Sequence, residues 1–197
     1  KLVKANGGEV VAVDFFPLDV SDFNSAVKKI QEARPDFIIS ALVGGAHLSF
    51  YRQWAAAGMK GKVPIASTTL GVGNEHQVLT PAEGDAILVA YNYSRQLSSP
   101  ANHAFVAGWT RKYGDPKEIT EMAASQYQTT MLWAAAVRQA GTTEREALTA
   151  ALEKGLAIDA PTGRLALDGR THHAVLDIHL MQIRQQQRDP VDGGSLL

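Results

Sequence analysis

The run Phe37-Ile38-Ile39-Ser40-Ala41-Leu42-Val43, halted by Gly44-Gly45, most narrows what this chain can become. A near-continuous apolar stretch ended by glycine has the composition of a strand covered on both faces, as in a parallel sheet. Beyond it, His47, Phe50, Tyr51, Trp54, Ala55 and Gly58 recur at three- and four-residue steps and predict an amphipathic helix. Val63-Pro64-Ile65-Ala66-Ser67 predicts the next strand, ended by Thr68-Thr69-Leu70-Gly71. Strands joined through a helix run parallel with a right-handed crossover, so both end on the same edge of a sheet. In open α/β sheets ligands bind at the carboxyl ends of the strands, which marks residues 36–74 as the candidate site before any chemistry is named.

The same rhythm extends on both sides. Residues 9–16 are β-rich, with Val10, Val11, Val13 and Phe15 partly alternating, and predict a strand ended by Pro17. Asp22 is a candidate N-cap for a helix carrying Phe23, Ala26, Val27, Ile30 and Ala33 on one stripe, stopped by Pro35. A loop with Glu75, His76 and Thr80-Pro81-Ala82-Glu83-Gly84 leads to an apolar strand over residues 86–90. After Tyr91-Asn92-Tyr93-Ser94 the character changes to three successive helices. The first has Pro100 in its first turn and an apolar stripe of Phe105, Val106 and Trp109 up to Gly114. The second spans 118–140, and the third runs from Thr142-Thr143-Glu144 to Gly155. From Ile158-Asp159-Ala160-Pro161-Thr162-Gly163 the chain is β again, with 164–167 and 175–182 flanking the turn Asp168-Gly169-Arg170. Both composition changes are expected crossings between two lobes. Lys1-Leu2-Val3-Lys4-Ala5-Asn6-Gly7-Gly8 reads as the end of a helix closing in a left-handed cap, so the chain is expected to be the later part of a longer protein.

Composition removes several function classes. Lys and Arg number 19 against 20 Asp and Glu, so the net charge of −1 offers a polyanion no long-range attraction, and no nucleic-acid partner is expected. No apolar run approaches the roughly 20 residues that cross a bilayer, so an integral membrane protein is not expected. Cysteine is absent, which excludes disulfides and thiolate chemistry but suits an oxidising and a reducing compartment equally. Gly71-Val72-Gly73 resembles the opening of a dinucleotide fingerprint, but the third glycine position is His76, whose side chain blocks close helix approach. With no nucleophile elbow and no phosphate loop either, neither an NAD-dependent nor a hydrolytic enzyme is favoured and no cofactor is expected.

The remaining candidates have bland counterparts. His172-His173 with His179 do not make a metal site, because neighbours on a strand point to opposite faces, and they read as solvated histidines. His47, just past the double glycine, either touches a ligand or packs at the start of its helix. Phe50, Tyr51 and Trp54 read as core rather than an aromatic cage, as do Tyr127, Met131 and Trp133. Thr68 and Thr69 stand where hydroxyls either meet a small polar ligand or cap a turn.

A series of segments in order then resembles a known family: Phe15-Phe16-Pro17-Leu18, Val20-Ser21-Asp22-Phe23, Pro35-Asp36-Phe37, Leu42-Val43-Gly44-Gly45 and Phe50-Tyr51-Arg52-Gln53-Trp54. Pro64-Ile65-Ala66-Ser67-Thr68-Thr69, Tyr91-Asn92-Tyr93 and Ile158-Asp159-Ala160-Pro161-Thr162-Gly163 complete it. Together they resemble the type I periplasmic solute-binding proteins, most of all the urea and short-chain amide receptors related to the branched-chain amino-acid receptors. The resemblance implies an α/β flytrap fold, a parallel sheet flanked by helices, of which most of lobe one is missing here. Residues 1–92 would then form the α/β portion of lobe two, 93–157 helices returning to lobe one, 158–185 a β segment returning to lobe two, and 186–197 a polar tail. It implies ligand contacts at Val43, Gly44, Thr68, Thr69 and Leu70, with His47 as a further possibility, and hinges at Tyr91, Asn92, Tyr93, Asp159, Ala160 and Pro161. The implied function is delivery of urea, a short-chain amide or a branched-chain-type amino acid to an ABC transporter permease, in the periplasm and without catalysis. The same fold would also serve a cytoplasmic amide-sensing regulator. Amino-acid receptors of the family place a carboxylate at the second of these turns, and residues 63–74 contain no acid, which favours a neutral amide or urea over an α-amino acid.

Overall fold

The predicted alternation of helix and strand is realised from α2 at Asn24 to β3 ending at Tyr91. The structure, a computed structural model, describes residues 1–116 and 119–184 together with the backbone of Ser195 and Leu196. Two units divide after Val89 and again after Leu180, the segment from Met181 rejoining the first.

In the first unit, α1 (Leu2–Ala5) closes at Gly7 in the left-handed region, and α2 (Asn24–Ala33) closes on left-handed Arg34 ahead of Pro35. Asp22 does not cap α2 in the expected position. Phe23 occupies the N-cap, and the Asp22 carboxylate accepts from the Asn24 N–H at 2.9 Å. Strands β1 (Ile38–Ser40), β2 (Ile65–Ser67) and β3 (Leu88–Tyr91) pair in parallel, with Ser40 opposite Ser67 and Ser67 opposite Val89. Between them lie α3 (Gly45–Ala56), the 3-10 turn Glu75–Gln77 and α4 (Pro81–Gly84). Two late strands, β7 (His179–Arg184) and β8 (Ser195–Leu196), complete the order β1-β2-β3-β7-β8.

Aromatic burial holds α3 in place. Phe23, Phe50, Tyr51 and Trp54 are buried, with ring centroids of Phe23 and Phe50 at 5.4 Å, Phe50 and Tyr51 at 5.4 Å, and Phe50 and Trp54 at 5.8 Å. Each such side chain contributes a few kcal/mol through the area it removes from water. Gln53 on the same helix ties the loop before α2, accepting from the Phe23 N–H at 2.7 Å and donating to the Ser21 carbonyl at 2.7 Å.

Two of the expected strands differ in the structure. Residues 9–16 form no ladder, and Val10, Val11, Val13 and Phe15 are exposed, Phe15 at 91%. Alternation supplies a strand with a face but not with a partner, and no described strand lies along this segment. The run of residues 37–43 is a strand over three residues only, the length of its ladder with β2, and Phe37, Ile39 and Val43 are exposed.

The second unit carries α5 (Pro100–Tyr113), α6 (Glu121–Ala140) and α7 (Arg145–Glu153) with an antiparallel sheet of β4 (Ala157–Ala160), β5 (Gly163–Leu167) and β6 (Ala174–Val175). Hydroxyl caps begin two of these helices: Ser99 Oγ accepts from the Asn102 N–H at 3.1 Å and Thr120 Oγ1 from the Ala123 N–H at 3.1 Å. Helix α6 buries Ala124, Gln128, Leu132 and Ala136, one residue every four: Ala124 packs with Tyr93, Phe105 and Ile119, Gln128 meets Thr162, Leu132 packs with Ala160 and Leu165, and Ala136 with Leu148 and Ala151 of α7. Tyr127, Met131 and Trp133 are therefore exposed rather than core, since each stands about 100° around the helix from that stripe. Tyr127 keeps partial cover against Phe105, ring centroids 4.6 Å apart.

The expected β segment over 158–185 divides. β4, β5 and β6 lie with the helices, whereas Ile183 of β7 bonds the backbone of Ala86 and Ile87 in the first unit's sheet. For the same reason the strand expected over 175–182 breaks between Val175 and His179, because its two ends have ladder partners in different sheets. The polar tail expected over 186–197 lies outside the described residues except for Ser195 and Leu196.

Candidate functional site

The carboxyl ends of β1 and β2 form the edge marked by the sequence. β1 stops at Ser40, and the chain enters α3 through Gly44, whose φ of 58° and ψ of −134° strongly favour glycine. Beside it, the Thr68 N–H donates to the Ser40 carbonyl at 3.3 Å and carries the pairing past the end of β2. Val43 and Thr68 are exposed at this edge, Thr69 is half-buried, and Leu70 is fully buried. The Leu70 side chain thus belongs to the core, leaving only its backbone for the edge.

The second turn is organised by two residues that sequence reasoning passed over. Ser67, fully buried at the last position of β2, accepts from the Leu70 N–H at 2.9 Å and the Thr69 N–H at 3.2 Å through its hydroxyl oxygen. Glu75 folds back from the 3-10 turn, its Oε2 accepting from the Gly71 N–H at 3.0 Å and the Gly73 N–H at 3.1 Å. The matching register of Ser40 and Ser67, a serine closing each of two apolar strands, was a readable signal for the first. Glu75, the second, directly follows the acid-free stretch over residues 63–74.

Behind the edge lies a polar layer. His47 is fully buried, its ring stacked on Tyr51 with centroids 5.8 Å apart and planes 8° from parallel. Burial pushes the His47 imidazole below its ordinary value, opposed by the Glu75 carboxylate and then by nearby backbone groups of Thr69 and Leu42. Neither ring nitrogen has a partner in hydrogen-bond geometry, so those backbone groups act at longer range. Burial likewise raises the Tyr51 phenol, and the hydroxyls of Ser40 and Ser67 weaken that effect without closing a well-formed hydrogen bond to it. The outcome is a neutral imidazole and a neutral phenol packed beneath the turn.

The expected hinge residues separate. Tyr91, Asn92 and Tyr93 follow the division after Val89, and the Asn92 N–H donates to the Glu121 carboxylate at 3.2 Å. Half-burial raises the Glu121 carboxyl, opposed by that N–H. Asp159, Ala160 and Pro161 lie within the second unit, in β4 and the turn after it. There the Thr162 hydroxyl donates to Gln128 Oε1 at 2.8 Å and Ser99 Oγ to the Pro161 carbonyl at 3.4 Å. His172 Nε2 lies 2.8 Å from Glu153 Oε1, both residues exposed, and His179 stands at the start of β7. Among the described residues no group of three His, Cys, Asp or Glu could hold a metal ion, and no helix is long and apolar enough to cross a membrane.

A family model described as periplasmic binding protein matches residues 1–188. A Leu/Ile/Val-binding protein homolog of Brucella melitensis is 23% identical over 181 residues, 90% of this chain and 46% of the relative. The solute-binding protein of an ABC transporter from Rhodopseudomonas palustris HaA2, in complex with p-hydroxybenzoic acid, superposes with a TM-score of 0.81 at 26% identity. That alignment covers 93% of this chain and 50% of the other. An amino acid ABC transporter substrate-binding protein from Pseudomonas fluorescens Pf-5 shares the fold with a TM-score of 0.82 at 21% identity, over 100% of this chain and 52% of its own. The chain thus spans about half the length of the proteins it matches.

Proposed function

The chain belongs to the periplasmic binding protein family, and on that premise we propose that it forms part of the solute-binding component of an ABC transporter, located in the periplasm. The protein performs no covalent chemistry. Ligand affinity favours a closed form that a membrane permease receives. Val43, Gly44 and the turn at Thr68, Thr69 and Leu70 supply one wall of the ligand site, chiefly through backbone groups and threonine hydroxyls.

The observation that carries the ligand class is the absence of a free carboxylate at the second turn. Residues 63–74 contain no acid, and the next one, Glu75, already accepts two backbone N–H groups. Burying an ammonium without a counter-charge costs several kcal/mol. Urea or a short-chain amide therefore suits this wall better than a branched-chain-type amino acid. An aromatic carboxylate is a second reading, supported by the Rhodopseudomonas relative that holds p-hydroxybenzoic acid.

Titration calorimetry of the intact protein with urea, acetamide, 4-hydroxybenzoate and leucine tests this. Binding of a ligand without an ammonium group is expected, with leucine weakest. Leucine binding tightest would refute the ligand class, and no heat with any of the four would refute the solute assignment.

A further inference from the structure

We propose that Glu75 is the positioning residue of the second ligand turn, an internal anion that shapes the backbone the ligand meets; this rests on the ligand wall proposed above. Successive backbone N–H groups in a glycine turn make a concavity that attracts an anion. Here Gly71 and Gly73 direct their N–H groups to one carboxylate oxygen, at 3.0 and 3.1 Å. The backbone is built for that closure. Gly71 sits at a φ of 99° and Asn74 at 63°, both in the left-handed region, which turns the chain back on itself. Gly73 has a different task, since a Cβ there would lie 2.8 Å from Glu75 Oε1 and displace the carboxylate.

Ser67 and Glu75 grip the turn from opposite ends. Ser67 holds the N–H groups of Thr69 and Leu70, and Glu75 those of Gly71 and Gly73. With the Val72 N–H donating to the Thr69 carbonyl at 3.3 Å, all five N–H groups over residues 69–73 are committed internally, and the turn presents its hydroxyls and remaining carbonyl groups in a fixed arrangement. The first acid after residues 63–74 thus closes on the protein's own backbone rather than facing a cation.

Amide hydrogen exchange and calorimetry on the intact protein test the assignment, with Glu75→Ala, Glu75→Gln and Gly73→Ala as variants. Glu75→Ala is expected to accelerate exchange of the Gly71 and Gly73 amides about tenfold or more, with a smaller change at Leu70. It is expected to weaken binding of acetamide or 4-hydroxybenzoate about tenfold, the scale of one charge-assisted hydrogen bond lost. Glu75→Gln keeps an acceptor oxygen and is expected to restore binding to within about threefold, whereas Gly73→Ala reproduces the alanine phenotype with Glu75 intact. Unchanged exchange at Gly71 and Gly73 in Glu75→Ala overturns the proposal, as does accelerated exchange with wild-type affinity. If the wild-type protein binds none of the probes, the ligand reading fails and the exchange rates alone decide the role of Glu75.

Discussion

Ser40 and Ser67 stand directly opposite each other at the ends of β1 and β2, both buried, yet replacing each with alanine is expected to give different results. Ser67 Oγ accepts from two backbone N–H groups, whereas Ser40 Oγ has no partner in hydrogen-bond geometry. In Ser67→Ala the Leu70 N–H is left buried without an acceptor, which costs about 1–3 kcal/mol. The Thr69 N–H is half-buried and regains part of its loss from water, adding a few tenths of a kcal/mol. Ser40→Ala removes a buried hydroxyl that gained no hydrogen bond, so its effect is expected to lie within about 0.5 kcal/mol of zero or to be stabilising. Urea denaturation measures both, with the midpoint shifting at constant slope if only stability changes. In thermal melts, Ser67→Ala is expected to lose a few degrees, at about 2–4 °C per kcal/mol for a chain of this size. Equal losses from the two variants, or a Ser67→Ala loss below about 0.5 kcal/mol, would refute the view that the serine hydroxyl holds the turn.

Three further outcomes follow from the packing and the charges. Trp54→Ala is expected to cost about 3–5 kcal/mol by urea denaturation, since the indole lies in the aromatic core of α3; a loss under about 1 kcal/mol would contradict that placement. Thr162→Val leaves Gln128 Oε1 buried beside a methyl group and is expected to cost about 1–3 kcal/mol, while adding Gln128→Met recovers most of it. A double-mutant cycle with no coupling between these two positions would dismiss their hydrogen bond as a stabilising contact. His47 titrates below its ordinary value of 6.5 in the folded state, so the unfolded chain takes up its proton first on acidification. The stability it contributes is complete above about pH 6.5 and falls as the pH drops toward the folded value. His47→Gln is expected to flatten that part of the stability profile, and an unchanged profile would count against a buried neutral imidazole.

The sequence by itself determined the parallel α/β unit and the edge at which it ends. Continuous apolar runs, glycine stops and a helical stripe at Phe50, Tyr51 and Trp54 are local properties, and β1, α3 and β2 follow from them. Which segments find partners was decided only in the tertiary structure. Residues 9–16 have the pattern of a strand and no ladder, while residues 175–182 have the pattern of one strand and serve two sheets. Within α6, composition alone could not separate the buried stripe of Ala124, Gln128, Leu132 and Ala136 from the larger Tyr127, Met131 and Trp133 beside it. The edge itself divides the same way: Thr68, Thr69 and Leu70 were legible from their position after a strand. The Ser67 hydroxyl and Glu75 carboxylate that hold them emerge only once the chain has turned, since a hydrogen bond requires a distance and a direction that spacing in sequence does not specify.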